Sequence, residues 1–180
     1  MTRLLYAIIV GIVGAGIVHI AILLLLPVYS ERDAWSRVSA VAAPYRLVQL
    51  GRGELSDDLL RSADPAFAVA VCRFDLAEGV VRLSAPGHVP FWSISVFDRR
   101  GRNVYSLNDR TATERLLDIV VATPVQLLEL RKDMPADYDR TIFVEADIGE
   151  GMLVLRSFIP DPTWRSVVDG YLAAARCEAG

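Results

Sequence analysis

Hydrophobic positions form one unbroken run at the N-terminus of the chain and shorter alternating runs after it. Between residues 4 and 28, His19 is the one strongly polar side chain. A helix needs about 20 apolar residues to cross the roughly 30 Å hydrocarbon core of a bilayer. The run therefore predicts a transmembrane signal anchor over residues 1–29.

A cleavable signal peptide is the main alternative to an anchor, because it also begins with a positive residue, here Arg3. Its apolar core is usually only about 7 to 15 residues long, and no small-residue cleavage motif follows Pro27. Tyr29 stands where an aromatic side chain can lie at the membrane interface. We interpret the segment as an uncleaved anchor.

The orientation of the anchor depends on a small difference in basic residues between the two sides of the apolar run. Arg32 and Arg37 follow the apolar run and argue against an inside N-terminus under the positive-inside rule, whereas Arg3 and the amino group argue for it. A short N-terminal segment before a first long apolar helix is typical of a signal anchor. A pair of cysteines also suits a domain in an oxidising compartment. We therefore expect the N-terminus inside and the C-terminal domain outside the cytoplasm.

Small residues line one side of the predicted anchor. Ala7, Gly11 and Ala15 are spaced four apart, and such a face lets membrane helices approach closely. Helix pairing is one interpretation, and the other is that glycine is simply frequent in membrane helices. His19 has the same two interpretations, a polar contact with a partner helix or a tolerated single histidine.

The segment over residues 30–65 is predicted to be a juxtamembrane helix and a connection. Trp35, Val38 and Ala42 follow helical spacing until Pro44 ends the pattern. Beyond it, residues 45–50 alternate weakly, and a short acidic-capped piece occupies residues 56–62.

Residues 66–180 predict a single α+β domain with a mostly antiparallel sheet, which fits the length left after the anchor. Strand patterns occur at 67–74, 80–83, 91–97, 104–107, 116–122, 141–146 and 152–159. We expect the first of these strands to be buried on both sides and to form a hairpin with the second. Asp98 to Gly101 is predicted to be a tight turn.

Two helix starts are indicated by capping residues. Thr123, Pro124 and Gln126 combine an N-cap acceptor, a proline at the first helical position and a capping-box partner. Asp161 and Pro162 open a C-terminal amphipathic helix that is predicted to end near residue 177. Its apolar face is expected to contain Trp164, Val167, Val168, Tyr171, Leu172 and Ala175.

The charge balance disfavours nucleic acid as a partner. The 180-residue chain carries 19 basic and 22 acidic residues, for a net charge of -3. Nucleic-acid affinity usually depends on a clustered basic surface, and the sequence has no stripe of Lys or Arg interleaved with aromatic residues.

One polar stretch beside a predicted strand supplies candidate ligand-binding residues. It contains Asn103, Tyr105, Asn108, Asp109 and Arg110, and His88 joins it from an earlier loop. Side chains at a strand end can converge on a ligand, and Arg110 is suited to an anionic group. The structural alternative is that Asn108 and Asp109 act in turns and that Thr111 with Glu114 forms a capping box.

Cys72 and Cys177 are the only cysteines, and an even pair in an exported domain permits one disulfide. The bridge would tie the final helix to a central strand and close a loop of roughly 100 residues, for which chain entropy allows about 4 to 5 kcal/mol. The alternative is two unpaired thiols.

Patterns that carry catalysis or bind metals are sparse. With His19 in the anchor, His88 is the one histidine of the domain, and no nucleophile-elbow signal accompanies it. Neither cysteine has a second ligand at the spacing of a zinc site. The sequence therefore predicts no catalytic residue, no metal site and no cofactor.

Three sequence segments carry a family resemblance: CRFDL from Cys72, FWSISVFD from Phe91 and GRNVYSLNDR from Gly101. With the closing pattern from Pro160 to Cys177, they resemble the short membrane-anchored bacterial members of the family catalogued as domain of unknown function 1254. The resemblance covers most of the chain after Ala34. It implies a bacterial inner-membrane protein with a periplasmic domain and no established activity, and it carries over nothing from the additional domain of longer relatives.

Two functions from different classes follow. The one we expect is a membrane-anchored, non-enzymatic periplasmic module that binds a partner protein or an envelope component such as a lipid or glycan. The rival is an enzyme or enzyme accessory with a polar site near Asn103 to Arg110. A deep pocket lined by His88, Tyr105, Asn108 and Arg110 would favour the rival, and a shallow domain with an exposed apolar patch would favour the module. A third interpretation is purely structural, with pairing of the anchor helix.

Overall fold

A computed structural model of the chain describes residues 2–51 and 64–180, and it describes side chains over 2–26, 35–51 and 64–180. The acidic-capped piece predicted at residues 56–62 lies outside these residues.

The N-terminal part of the chain is one helix, α1, from Thr2 to Val41. Its first 25 residues, Thr2–Leu26, have a mean hydropathy of 2.8 and are not buried by the rest of the chain. This length and composition suit a membrane-spanning helix, and a signal sequence meets the same criteria. Where we expected an anchor followed by a separate short helix, the two form a single continuous helix of about 60 Å, given a rise of 1.5 Å per residue.

The domain contains two sheets. The first has the order β1-β2-β8-β4-β5 and is antiparallel throughout, with β1 Leu47–Leu50, β2 Phe67–Asp75, β4 Trp92–Asp98, β5 Asn103–Asn108 and β8 Glu150–Phe158. The second has the order β7-β6-β3-β9, with β3 Val81–Ala85, β6 Leu117–Ala122, β7 Ile142–Glu145 and β9 Arg176–Ala179. Only its β6–β7 pair is parallel.

Residues 64–180 also contain two helices and three short 3-10 turns. The helices are α2, Pro124–Leu130, and α3, Arg165–Ala174, and the turns are Thr113–Arg115, Ala136–Tyr138 and Pro162–Trp164. The predicted α+β class is confirmed, with a long apolar N-terminal helix, mostly antiparallel strands and a C-terminal helix. Thr123 caps α2 through the predicted capping box with Gln126.

The main core lies between the two sheets. Inward side chains of the first sheet include Trp92, Ile94 and Leu155, and those of the second include Leu83 and Ile119, all essentially inaccessible to solvent. The prediction that β2 is buried on both sides is confirmed. Its inward residues join this core, whereas its outward valines join a second cluster beneath the end of α1.

The predicted hairpin between residues 67–74 and 80–83 is wrong. β2 pairs with β1 and β8, whereas β3 pairs with β6 and β9 in the other sheet. Because β2 is apolar on both faces, one face needs a second sheet as cover, and β3 supplies part of it. Gly79 adopts φ +151° between the two strands, a conformation that L side chains rarely adopt.

The last helix is shorter than predicted at both ends. Asp161 caps the 3-10 turn rather than the α-helix, and α3 begins only at Arg165. Trp164 and Val167 are 39% and 45% exposed, so the buried face is narrower than its pattern indicated. The chain leaves the helix after Ala174 and forms β9, because the edge of β3 offers backbone partners and an inward position for Cys177.

The predicted disulfide between Cys72 and Cys177 is confirmed. It joins β2 of the first sheet to β9 of the second across the core, rather than a strand to a helix. The bridge therefore ties the two layers of the domain together.

Candidate functional site

The end of α1 packs on the outer face of the first sheet. Val38 and Ala42 are buried there against Val71 and Met152, with partly buried apolar neighbours on the same face. The helix that suits a membrane span therefore continues directly into a hydrophobic contact with the domain.

Arg73 fastens this contact through its guanidinium group. Its Nη1 donates to the carbonyl oxygens of Ser39 at 3.4 Å and Ala42 at 3.2 Å. The guanidinium also lies 4.8 Å from the ring centroid of Trp35, and that of Arg99 lies 5.9 Å from the same ring. Since the C-terminal carbonyls of a helix carry partial negative charge, a cation at this position stabilises the helix end.

An open groove of about 580 Å³ lies on the outer face of the second sheet, away from α1. Its walls come from the ends of β3 and β6, the start of β9 and the turn around residues 136–140. The lining residues are Ser84, Ala85, Pro86, Leu116, Leu117, Asp118, Ala136, Asp137, Asp139, Arg140 and Arg176. Its volume falls in the range of small-molecule sites.

Arg82 joins the acidic side chains at the edge of the groove. It donates from Nε and Nη2 to the two carboxylate oxygens of Asp118, each at 2.9 Å, and it pairs with the carboxylate of Asp137. Thr141 donates a further hydrogen bond of 2.7 Å to Asp118. The hydrogen bonds to Asp118 raise the pKa of Arg82 more than its partial burial lowers it, so the guanidinium group stays positively charged at every accessible pH.

The loop before β6 borders the groove in an unusual backbone conformation. Glu114 and Arg115 have φ of 55° and 58°, in the left-handed region that non-glycine residues seldom occupy. The indole Nε1 of Trp92 donates to the carbonyl oxygen of Arg115 at 2.9 Å and holds the loop in place. Such local strain occurs often near binding sites.

The structure does not bring all the residues predicted as ligand-binding to one face of the domain. Tyr105 pairs with Val96 and Asn108 with Ser93, so strand alternation places them on opposite faces of the first sheet. His88 lies on an exposed loop. None of the four residues His88, Tyr105, Asn108 and Arg110 lines the groove.

The polar stretch at the end of β5 makes local bonds. Asn108 Oδ1 accepts from the backbone N–H of Arg110 at 3.0 Å, and the hydroxyl of Thr111 donates to the carbonyl oxygen of Asn108 at 2.8 Å. Asn103 Nδ2 donates to the hydroxyl of Ser106 at 2.7 Å. The turn role of Asn108 is thus seen, but the predicted Thr111–Glu114 capping box is wrong, because the 3-10 turn lacks a side-chain cap and Glu114 pairs with Arg140.

Asp109 and Tyr171 are buried titratable groups without a hydrogen bond to Oδ1 or to the phenol oxygen, respectively. Both are at most 5% exposed. Burial raises the pKa of Tyr171, and the nearby carboxylate of Asp109 raises it further. The two oxygens are sealed inside the domain, so they do not present a surface for a ligand.

The described residues contain no group of three or more His, Cys, Asp or Glu side chains arranged to hold a metal ion. Sequence reasoning missed Arg82, Asp118 and Asp137, although two of them gave a signal. Arg82 and Asp118 each interrupt an otherwise apolar strand pattern, and a charge in such a strand often indicates an ion pair or a site.

Comparisons with known proteins show the fold and give no activity. No family model and no curated protein matches the chain. It is similar to the crystal structure of the VPA0106 protein from Vibrio parahaemolyticus, with a TM-score of 0.61 and 14% identity over 84% of this chain and 35% of that one. A putative uncharacterized protein from Burkholderia cenocepacia has a TM-score of 0.50 and 11% identity over 83% of this chain and 38% of that one. The chain thus spans little more than a third of these neighbours and shares their fold over that part.

Proposed function

We propose that the protein is a membrane-anchored periplasmic module that binds an envelope component and catalyses no reaction. In this proposal α1 spans the bacterial inner membrane with its N-terminus inside, and the domain stands on the periplasmic side. The resemblance to the family of domain of unknown function 1254 is part of the proposal and supplies its compartment.

The observation that carries the proposal is that the outer faces of the two sheets have different surroundings. The first sheet is covered by the end of the apolar helix, fastened by Arg73, whereas the second opens the groove on the opposite side of the domain. A tether on one face leaves the other face free for a ligand. The disulfide between the sheets supports an oxidising compartment for the domain.

Binding rather than catalysis is favoured by the state of the groove's acidic groups. Asp118 and Asp137 already accept hydrogen bonds from Arg82, which leaves Asp139 as the one lining carboxylate without a described partner. General acid–base catalysis needs a base that is held within reach of the substrate proton and has a pKa near the working pH, and no described residue positions Asp139 in this way. The enzyme alternative near Asn103 to Arg110 gains no specific observation, because the polar side chains of this stretch make local bonds, face solvent or, in the case of Asp109, are enclosed in the domain.

Topology is tested with single exposed cysteines added to the native chain. Lys132→Cys places a thiol on the exposed segment after α2, and Thr2→Cys places the control thiol at the start of α1. Intact spheroplasts are treated with a membrane-impermeant maleimide without reductant. We expect labelling of the Lys132→Cys chain at its full mass of 19.8 kDa plus label, and labelling of the Thr2→Cys chain only after lysis.

The native pair serves as the internal reference. Because Cys72 and Cys177 are bridged and buried, they should react only after reduction and denaturation. Labelling of Thr2→Cys but not Lys132→Cys in intact spheroplasts would reverse the orientation, and release of a shortened domain into the soluble fraction would replace the anchor by a cleaved signal sequence.

A further inference from the structure

The groove on the second sheet differs from a simple acidic patch because one arginine engages both of its inner carboxylates. Arg82 holds both oxygens of Asp118 and pairs with Asp137, and it lies 4.4 Å from the ring centroid of Tyr138. Its position is therefore fixed from three sides. Arg82 thus cancels one of the two negative charges of Asp118 and Asp137, and the side chains left to contact a ligand directly are the other charged residues of the lining.

Two arginines are the available cations of the groove. Arg176 is 77% exposed, and its nearest acidic partner is Glu178 at 3.9 Å. Arg140 is 62% exposed and pairs with Glu114, itself 59% exposed. Exposed ion pairs of this kind contribute little to stability, so a ligand can replace them. A guanidinium group matches the geometry of carboxylate and phosphate oxygens.

The acidic side chain that remains limits the charge of the ligand. Asp139 also lines the groove, and no hydrogen bond or ion pair joins its carboxylate to another described residue. It would repel a doubly charged headgroup more strongly than a singly charged one. The charges therefore favour a monoanion, such as a carboxylate or a phosphodiester.

The uncharged part of the lining is apolar apart from Ser84. Ala85, Pro86, Leu116, Leu117 and Ala136 line the groove beside the arginines, and the described lining contains no aromatic side chain on which a sugar ring could stack. Ala85 and Leu117 are almost fully buried, whereas Pro86, Leu116 and Ala136 are at least partly exposed, so an alkyl chain can bury apolar area on these three. The lining thus favours an amphiphile over a glycan.

We propose that the groove binds a singly charged amphiphile, in which a carboxylate or phosphodiester headgroup contacts Arg140 and Arg176 and an alkyl chain covers the apolar lining. This inference rests on the proposed binding function and names its ligand class. Fatty acids and anionic phospholipids are the two sources of this chemistry at a membrane.

The test is calorimetric titration of the full chain in nanodiscs of neutral phosphatidylcholine with water-soluble probes. Octanoate represents the carboxylate, dihexanoyl phosphatidylglycerol the phosphodiester, octyl phosphate the more highly charged headgroup and octyl glucoside the uncharged control. We expect saturable binding of octanoate or dihexanoyl phosphatidylglycerol. Binding of the first alone indicates a fatty acid, and binding of the second alone indicates a phospholipid.

Variants separate the headgroup contacts from the apolar contact. Arg140→Gln and Arg176→Gln should each weaken binding of the anionic probe about tenfold, since each removes a charge-assisted hydrogen bond. Arg131→Gln, which removes an exposed arginine just after α2, should leave affinity unchanged. An unchanged thermal midpoint and intact disulfide establish that each variant is folded.

The proposal is overturned if octyl glucoside binds as tightly as the anionic probes, if octyl phosphate binds best, or if no probe saturates. It is also overturned if Arg131→Gln weakens binding as much as the two groove variants. If no anionic probe binds but Lys132→Cys is labelled from outside, the proposed ligand class is rejected and the membrane-anchored module is retained. If an anionic probe binds saturably but Lys132→Cys is labelled only after lysis, the periplasmic location is rejected and the ligand-binding groove is retained.

Discussion

Breaking the Cys72–Cys177 bridge should cause a large loss of stability. The two cysteines are 105 residues apart in sequence. In the chain-entropy treatment, closing a loop of that size in the unfolded state corresponds to about 4.7 kcal/mol at 25 °C. Native domains of this size are usually stable by only about 5 to 15 kcal/mol, so the bridge is a large share of the total.

The double variant Cys72→Ala/Cys177→Ala adds a packing loss to the entropic one. Cys72 is fully buried and Cys177 is 6% exposed, so both sulfur atoms occupy the core. Reduced wild type keeps the sulfur atoms and loses only the bond. We therefore expect the free energy of unfolding to fall by about 3 to 5 kcal/mol on reduction and somewhat further in the double variant.

Urea unfolding of the full chain in neutral detergent, followed by near-ultraviolet circular dichroism, measures these differences. The slope with urea should rise when the bridge is absent, because the unfolded chain exposes more surface. Each single variant should match the double variant to within its packing loss, since either one removes the bond. A loss below about 1 kcal/mol in both the reduced protein and the double variant would refute the loop-closure reasoning.

Three further changes test the contact between α1 and the first sheet and two buried side chains. Arg73→Met should weaken the contact of the helix end with the sheet by about 1 to 3 kcal/mol, which should appear as faster amide hydrogen exchange around Trp35. Unchanged protection would contradict the role of Arg73 in this contact. Tyr171→Phe should leave stability unchanged or raise it by about 1 kcal/mol, since the buried hydroxyl has no partner; a loss above 1 kcal/mol in thermal unfolding would show that the hydroxyl is bonded. Asp98→Asn should destabilise the protein at pH 7 by about 1 to 3 kcal/mol, and the difference from wild type should shrink as the pH falls below about 4; a pH-independent difference would contradict the assignment.

The sign of the Asp98 effect follows from its surroundings. Burial favours the protonated acid, but hydrogen bonds from the backbone and side chain of Arg102 and from the backbone of Arg100 outweigh it and lower the pKa of Asp98 below its usual 3.8. The stabilisation is therefore present at neutral pH and is lost as the pH falls through the lowered pKa. The carboxylate also holds the turn between β4 and β5.

Features that depend on neighbouring residues could be predicted from the sequence. The apolar run of α1, the capping box at Thr123 and the turn after β4 are encoded within a few residues, because helix, cap and turn energies arise from local contacts. The cysteine pair was also predictable as one possible bond, since two cysteines in a domain expected to lie in an oxidising compartment permit a single disulfide.

Only the tertiary structure decided which strands pair and what lies between the sheets. β2 and β3 follow each other in sequence but belong to different sheets, and the last residues form β9 because the edge of β3 needs a partner. The groove likewise depends on Arg82 meeting carboxylates 36 and 55 residues later in the chain. Strand pairing and ion pairs of this kind depend on long-range packing, for which the alternation of apolar residues specifies a face but not a partner.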